Sequence, residues 1–460
     1  MDPKINKLLI DIVGREYFSI SSEDRLCYSY DGTGREFVPD AVVFPATTAE
    51  VSSIMKLASQ YGFCVTPRGA GTGMTGGALP VAGGLVMAMS RFSRILELDV
   101  NNQLAVVEPG VITGELQAAV REKGLYYPPD PASLEFCTLG GNVAECAGGP
   151  SGVKYGVTRD YVKGLEVVLA NGNIITTGVK TDKGVVGYDL TRLFVGSEGT
   201  LGIITKIIVR LLPLPETKLT FLVLMDSLFT AAGLVSKLLS RFTPCTLEFM
   251  DRTAISIVKD KIAFALPEGT QALLLIELDG NAGAVGWEGN LLRSFVEKFS
   301  GVLEVRQAAN QSEADMLWVA RRAVSPSAFK LKPHKISEDI VVPRDTIGAL
   351  VDEVEQLAHE FNLLIFCFGH AGDGNIHVNI MLDKANEQEA AKGARAKQKL
   401  FDKVVELSGT LSGEHGVGIT KSAFVPLELS AETIAAMRSI KKALDPQNIL
   451  NPGKIFPQNC

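Results

Sequence analysis

The residues best placed to do chemistry are histidines. The chain of 460 residues holds only five, and two of them, His370 and His377, flank one glycine-rich stretch, Gly369-His370-Ala371-Gly372-Asp373-Gly374-Asn375-Ile376-His377-Val378-Asn379-Ile380. Ile376, Val378 and Ile380 alternate with His377 and Asn379, so the spacing predicts a strand with imidazole and amide on one face. His370 closes the apolar run Leu363 to Phe368, and Ala371 to Asn375 carries two glycines and an Asp, which predicts strand, tight turn, strand. Such a hairpin would bring the two imidazoles together as nitrogen ligands for a divalent metal. Downstream, Gly413-Glu414-His415-Gly416 offers a carboxylate ligand and one further imidazole. A single His on a strand is most often a hydrogen-bonded structural residue. Three of them among Gly, Asp, Asn and Glu are not explained by core packing, and they are expected to share a site. Two imidazoles and a carboxylate suit Zn²⁺, Mn²⁺, Fe²⁺ or Co²⁺.

The elements that would position a second ligand are glycine-rich. A capping box at Thr47 and Glu50 opens a helix with Val51, Ile54, Met55 and Ala58 inward and Gly62 past its end. A short strand then leads into Pro67-Arg68-Gly69-Ala70-Gly71-Thr72-Gly73-Met74-Thr75-Gly76-Gly77. Gly71, Gly73 and Gly76 match the dinucleotide fingerprint by letters, but that fingerprint must open a helix, whereas Gly77, Pro80, Gly83 and Gly84 follow here and Leu85 to Met89 reads as another strand, which argues against a Rossmann unit. The loop still suits phosphate, because consecutive backbone N–H groups can converge on one anion, with Arg68 and two threonines as further donors. A flexible surface loop is the bland alternative. Pro128-Pro129-Asp130-Pro131-Ala132-Ser133 and Cys137-Thr138-Leu139-Gly140-Gly141-Asn142-Val143-Ala144-Glu145-Cys146-Ala147-Gly148-Gly149 are nearly free of bulky side chains. Either the backbone packs closely on itself there, or it approaches a large planar ligand. Leu165 to Ala170 and Asn173 to Thr177, joined by Asn171-Gly172, are expected to form a type I′ hairpin. After Pro213 and Pro215 the texture changes to strands alternating with longer helices, and Asp445-Pro446 to Lys454 reads as an extended, turn-rich tail.

Length predicts two or three domains with ample core. A net charge of −7, 46% hydrophobic and 21% charged residues and 45 glycines describe a slightly acidic globular protein, and argue against a nucleic-acid partner. No apolar run approaches the roughly 18 residues of a membrane-spanning helix. The N-terminus lacks the basic-then-apolar pattern of a signal peptide, so the expected location is cytoplasmic. Seven cysteines from Cys27 to Cys460, without a C-x-x-C pair, predict neither a disulfide framework nor an iron–sulfur site.

Taken in order, Pro67 to Gly77, Pro129 to Ser133, Gly140 to Ala144 with Gly148-Gly149, Glu198-Gly199-Thr200-Leu201-Gly202, the histidine hairpin, Glu414-His415-Gly416 and Asn451-Pro452-Gly453-Lys454 resemble the FAD-dependent D-2-hydroxy-acid dehydrogenases. These are vanillyl-alcohol-oxidase-like flavoproteins, and the nearest likeness is to glycolate oxidase D subunits and D-lactate dehydrogenases. The resemblance implies an α+β fold: a two-subdomain FAD-binding domain at 1–215, a substrate or cap domain with an antiparallel sheet at 216–425, and a C-terminal segment at 426–460 returning to the first. It implies noncovalent FAD held by Pro67, Arg68, Gly69, Ala70, Gly71, Thr72, Gly73, Thr75 and Gly76, by Pro129, Asp130 and Ser133, by Thr138, Gly140, Gly141, Asn142, Ala144, Gly148 and Gly149, and by Glu198, Gly202, Ile203 and Asn451. His370, His377 and Glu414 would hold the metal, Zn²⁺ first, with Mn²⁺ or Fe²⁺ as alternatives. His415 would be the base, Arg321 or its neighbour Arg322 would grip the substrate carboxylate, and Asn379 and Lys335 would stand beside it. A guanidinium can hold a carboxylate bidentately, a metal can acidify the 2-hydroxyl, and a neutral imidazole can take the proton as hydride leaves for the flavin.

The implied reaction is oxidation of glycolate or D-lactate to the 2-oxo acid. Electrons would pass to an iron–sulfur subunit, an electron-transfer flavoprotein or a quinone-linked acceptor, and any membrane attachment would be peripheral and through that partner. A homodimer stays open as the oligomeric state. Two other readings compete: an electron-transfer subunit active only in a complex, and an O₂-using oxidase of an uncharged alcohol. A metallohydrolase would leave residues 67–149 unexplained.

Overall fold

The computed structural model describes residues 1–262 and 264–457, so the expectation for Cys460 lies outside the described residues. The chain forms two compact units. One contains Met1–Gly148, Val157–Leu214 and the chain from Glu414 onward; the other contains Gly149–Gly156 and Pro215–Gly413. The fold class is α+β, and among the described residues no helix is long and apolar enough to cross a membrane.

The first unit carries two larger sheets. Ala41–Val43, Leu85–Ala88 and Val65–Arg68 run parallel, with Phe18–Ser19 antiparallel at the edge. The crossover helix Thr48–Tyr61 starts at the Thr47 cap and buries Val51, Ile54, Met55 and Ala58 against this sheet. An antiparallel five-stranded sheet follows, in the order Ile95–Asp99, Leu104–Val107, Ile203–Arg210, Val162–Val168, Ile174–Gly178. Its Val162–Val168 and Ile174–Gly178 pair is a hairpin, but the turn is not type I′. Gly172 N–H bonds Leu169 C=O at 2.9 Å and Leu169 N–H bonds Asn173 C=O at 2.9 Å, with positive φ at Gly172 and not at Asn171. A type I turn followed by a left-handed glycine therefore joins the strands.

Residues 138–146 also differ from a bare small-residue run. Thr138 caps a helix, Leu139–Glu145, and Gly140 is inside it because a Cβ there would lie 2.5 Å from Pro109 Cβ. Close packing has overridden the weak helix propensity of glycine. The chain rejoins the first unit at Glu414, earlier than the expected boundary after 425. Residues 415–420 are bonded to Thr75 and Glu198, both of that unit, which accounts for the earlier return.

The second unit is one antiparallel seven-stranded sheet in the order Val302–Gln307, Thr217–Met225, Ala272–Gly280, Thr246–Asp251, Leu364–His370, Asn375–Leu382, His334–Val341. Helices Leu228–Leu239, Ala282–Val296, Ile347–Phe361 and Glu387–Glu406 pack on one face. On the other, Leu222, Met250, Leu273, Leu275, Phe366 and Phe368 join Ile255 and Val324 in a core that leaves one end of the face polar. Gly149–Gly156 is tied into this unit by Asp279, which accepts from Lys154 Nζ at 2.5 Å and Tyr155 OH at 2.8 Å.

Candidate active site

The polar end of that sheet face is built by strand register. Leu364–His370 and Asn375–Leu382 form the hairpin, with His370 opposite Asn375 and Phe368 opposite His377. The turn between them needs φ of +85° at Gly374, where a Cβ would also lie 2.1 Å from Val342 O, so only glycine fits. The two rings meet nearly edge-on, with Nε2 of His377 3.4 Å from Nε2 of His370. Each Nδ1 points the other way, toward an acidic cross-strand neighbour. Glu248, opposite His370, places Oε1 2.5 Å from His370 Nδ1, and Asp339, opposite His377, places Oδ1 3.7 Å from His377 Nδ1. A proton held on Nδ1 by the carboxylate leaves Nε2 as the lone-pair nitrogen, so both Nε2 atoms can face one cation. Two nitrogens bound tetrahedrally at ~2.0–2.1 Å sit ~3.3 Å apart, and the observed pair fits that requirement.

Glu248 is central and was not foreseen. It is fully buried, and its second oxygen lies 2.5 Å from Arg321 Nη2. Burial alone would raise its pKa; the contacts with His370 and the Arg321 guanidinium outweigh burial and hold it below the usual carboxylate range. Arg321 is buried, stacks 4.6 Å from the Phe368 ring, and has an Nε without an acceptor among the described residues. Arg322 is exposed and lies over Trp318 instead. Asn379 is buried on the same face, accepting from Ser337 Oγ at 3.1 Å and donating to His377 C=O at 3.3 Å. Lys335 lies further along this face on His334–Val341; its Nζ donates to Ser325 Oγ at 2.7 Å, and burial lowers its pKa. Asp339 was also missed. It accepts from Asn375 Nδ2 at 2.6 Å and from Gly413 N–H at 3.0 Å, so it fixes both the hairpin turn and the residue preceding Glu414.

In the first unit the glycine loop has the properties of an anion cradle. Among the described residues, no group accepts from the N–H groups of Gly69 to Gly77, and Arg68 curls beneath them with a buried Nη1 lacking a partner. A Cβ at Gly69 would lie 2.3 Å from Thr138 Oγ1, and one at Gly71 2.2 Å from Arg68 Nη2. This open row of donors with a buried cation fits a pyrophosphate. Asp31, Glu145, Glu198 and Lys454 lie close by. Burial lowers Lys454 to about 8; burial and Glu198 raise Glu145 well above its ordinary value, and burial also raises Asp31 and Glu198.

Several residues expected at the cofactor carry the protein's own bonds. Thr75 donates its hydroxyl to His415 C=O at 2.9 Å; Glu198 accepts from Val417 and Gly418 N–H at 2.7 and 2.8 Å; Asn451 donates to Gly77 C=O and Glu198 C=O at 2.8 and 2.7 Å. A Cβ at Gly202 would strike Val167, one at Gly148 would meet Glu414, and Ile203 is a buried strand residue. Thr138, beyond its cap role, lies against Gly69, while Asn142 donates to Thr113 Oγ1 at 2.7 Å. The Pro129 carbonyl accepts from Gln117 at 2.9 Å. Gly149 belongs to the second unit, and Glu414 and His415 to the first, with His415 Nε2 3.9 Å from Glu414 Oε1.

A family model described as FAD binding domain matches residues 39–178, and one described as FAD linked oxidases, C-terminal domain, matches 214–455. The chain is 45% identical to the glycolate oxidase subunit GlcD of Bacillus subtilis (strain 168), over 99% of this chain and 97% of that one. It is 34% identical to the Escherichia coli (strain K12) GlcD subunit, over 95% and 88%, and 34% identical to a D-lactate dehydrogenase of Anaerostipes hadrus, over 91% and 89%. Among solved structures, p-cresol methylhydroxylase with substrate bound superposes with a TM-score of 0.81 at 17% identity, covering 99% of this chain and 97% of that one. The 4-ethylphenol oxidase of Gulosibacter chungangensis gives 0.80 at 20%, with the same coverage. At such identities the likeness speaks for the fold alone.

Proposed function

This chain belongs to the FAD-linked oxidases and is an FAD-linked oxidoreductase, and we propose that it oxidises a small D-2-hydroxy acid, glycolate or D-lactate, to the 2-oxo acid with the help of a divalent metal. The observation that carries this reading is the pairing of His370 and His377 through their Nε2 atoms beside a buried arginine anchored on Glu248. Relatives of nearly the same length, named glycolate oxidase subunits and D-lactate dehydrogenase, support the substrate class.

The N–H row of Gly69 to Gly76 above Arg68 would hold the pyrophosphate of FAD, whose flavin ring would supply the hydride acceptor. His370, His377 and Glu414 would hold a divalent cation, Zn²⁺ first, which would supply Lewis acidity at the 2-hydroxyl. Arg321 binds the substrate carboxylate with donors that Glu248 leaves available, and its place next to the histidine pair favours it over the exposed Arg322. Asn379 orients the acid, and Lys335 adds a second cation whose lowered pKa eases its burial. His415 takes the hydroxyl proton as a neutral imidazole.

The test is the visible flavin spectrum of the purified chain under anaerobic conditions, with D-lactate or glycolate, before and after chelation. Bleaching that a chelator abolishes and Zn²⁺ or Mn²⁺ restores is the expected result; a flavin that stays oxidised with every acid and metal sinks the reading. A second reading, an electron-transfer subunit active only in a complex, is favoured by the subunit names of the relatives and by the absence of any C-x-x-C pair in the sequence. It predicts bleaching without steady turnover until an iron–sulfur protein or an electron-transfer flavoprotein is added.

A further inference from the structure

The glycine loop and the segment carrying His415 are joined more closely than two neighbouring loops need to be. Thr75, buried in the middle of the glycine loop, makes three hydrogen bonds to that segment. Its hydroxyl donates to His415 C=O at 2.9 Å, and its carbonyl accepts from Ile419 N–H at 2.8 Å and Thr420 N–H at 3.3 Å. Two glycines record how tight the approach is. A Cβ at Gly418 would lie 2.1 Å from Thr75 O, and one at Gly76 would lie 2.6 Å from Ile419 Cγ1. Glu145 is wedged into the same seam, its two oxygens lying where side chains at Gly77 and Gly416 would have to go, and Glu198 receives Val417 and Gly418 N–H from behind. The His415 carbonyl and the amides of residues 417–420 are thus held by Thr75 and Glu198.

We propose that Thr75 is a positioning residue for His415 rather than a cofactor contact, and that filling the glycine loop with FAD sets the position of His415 through it. The physical argument is directional. The N–H groups of Gly69 to Gly77 have no acceptor among the described residues, so without the cofactor the loop is held through its carbonyls and side chains. An anion that gathers those N–H groups restrains the peptide planes on both sides of Thr75, and the three Thr75 bonds pass that restraint to residues 415–420. Misplacing a catalytic group by about 1 Å can lower a rate by about 100-fold, so a single hydroxyl that fixes the His415 carbonyl is enough to matter. The role of His415 rests on the function proposed above; the coupling of the two segments does not.

Two measurements test the coupling, one independent of turnover. Amide hydrogen exchange on the peptide spanning 414–421 is compared in the deflavinated chain and after reconstitution with FAD alone; local opening should be suppressed and exchange slowed about tenfold. Equal exchange in the two forms overturns the coupling, whatever the substrate is. For the hydroxyl, Thr75→Val and Thr75→Ser are compared in the reconstituted enzyme. We expect Val to lower kcat about tenfold with KM and the FAD dissociation constant within about threefold of wild type, and Ser, which keeps the donor, to restore kcat. A Val variant that loses FAD but turns over normally once saturated assigns Thr75 to the cofactor and overturns the positioning role. If no acid reduces the wild-type flavin, the hydroxy-acid reading fails and the exchange comparison still decides the coupling.

Discussion

Glu248 is the residue on which the histidine site turns, and nothing in the sequence around it says so. It sits in Thr246–Asp251, a strand of ordinary apolar texture, and its two partners, His370 and Arg321, are remote in sequence. The two histidines were legible because they alternate with apolar residues across one short turn. Their acidic neighbours were not, since cross-strand register is a long-range property and Glu248 and Asp339 come from separate strands. The arrangement makes a sharp prediction. Glu248→Gln removes the charge that fixes His370 on its Nδ1 side and leaves Arg321 buried without its counter-ion. Outer partners of metal-ligating histidines commonly contribute about 10–100-fold to metal affinity or activity, so we expect losses of that order in Zn²⁺ affinity, read by titration against a chromogenic chelator. Stability should fall by about 3 kcal/mol as well, because one partner of a buried ion pair is gone. Unchanged zinc affinity would detach Glu248 from the metal and leave it with Arg321 alone.

At the scale of elements, patterns with a period were readable and close packing was not. The Thr47 cap, the helix it opens and the histidine hairpin formed as their residue patterns predict, although Glu50 closes its side of the expected capping box on Ala46 N–H at 2.7 Å and not on Thr47. The helix Leu139–Glu145 was hidden by its two glycines, of which Gly140 is required because Pro109 lies against it, a fact of packing with no local signature. Another device of this kind is Asp251. It caps the helix Arg252–Ile257 through Ala254 N–H at 2.7 Å and accepts from Cys367 N–H at 2.5 Å, joining that helix to the hairpin strand. Burial pushes its pKa to about 7 despite these donors. Its folded pKa lies above the unfolded value of about 3.9, so between those two values the folded state holds a proton that the unfolded state has lost. The stabilisation from Asp251 is therefore full below the unfolded value and declines as pH rises toward 7. Asp251→Asn cannot ionise, and its amide turns a donor toward Cys367 N–H at every pH. The wild type should be more stable than this variant at pH 5, and the gap in Tm should narrow by pH 8. A gap that widens with pH would mean that Asp251 is ionised throughout and stabilising as an anion.

At the scale of the whole chain, the sequence marked the passage out of the first unit at Pro213 and Pro215, whereas the return at Glu414 has no proline or composition shift to announce it. The tail Asp445 to Lys454 is turn-rich, as its residues predict, and it also braces both ends of the glycine loop. Leu450 bridges Val65 in parallel, Asn451 N–H bonds Val65 C=O at 2.9 Å, and Lys454 Nζ donates to Leu79 C=O at 2.6 Å and Asn451 Oδ1 at 3.2 Å. That lysine is buried, and the charges of three acids, Glu198, Asp31 and Glu145, raise its pKa against the larger effect of burial. Lys454→Met keeps the length of the side chain and removes the charge. Leu79 C=O loses its donor and the acids lose their counter-ion, so the first unit should lose about 3 kcal/mol and several degrees of Tm. The loop from Gly69 to Leu79 is held at its far end by Lys454, so the same variant should release FAD more readily. We expect the dissociation constant, followed by recovery of free flavin fluorescence, to rise about tenfold, since each 1.4 kcal/mol of lost preorganisation is one decade in affinity. A variant that loses Tm but keeps its FAD affinity would confine Lys454 to the stability of the unit. One that loses FAD with Tm intact would make the lysine part of the cofactor site, and the tail would then contribute to binding as well as to closing the fold.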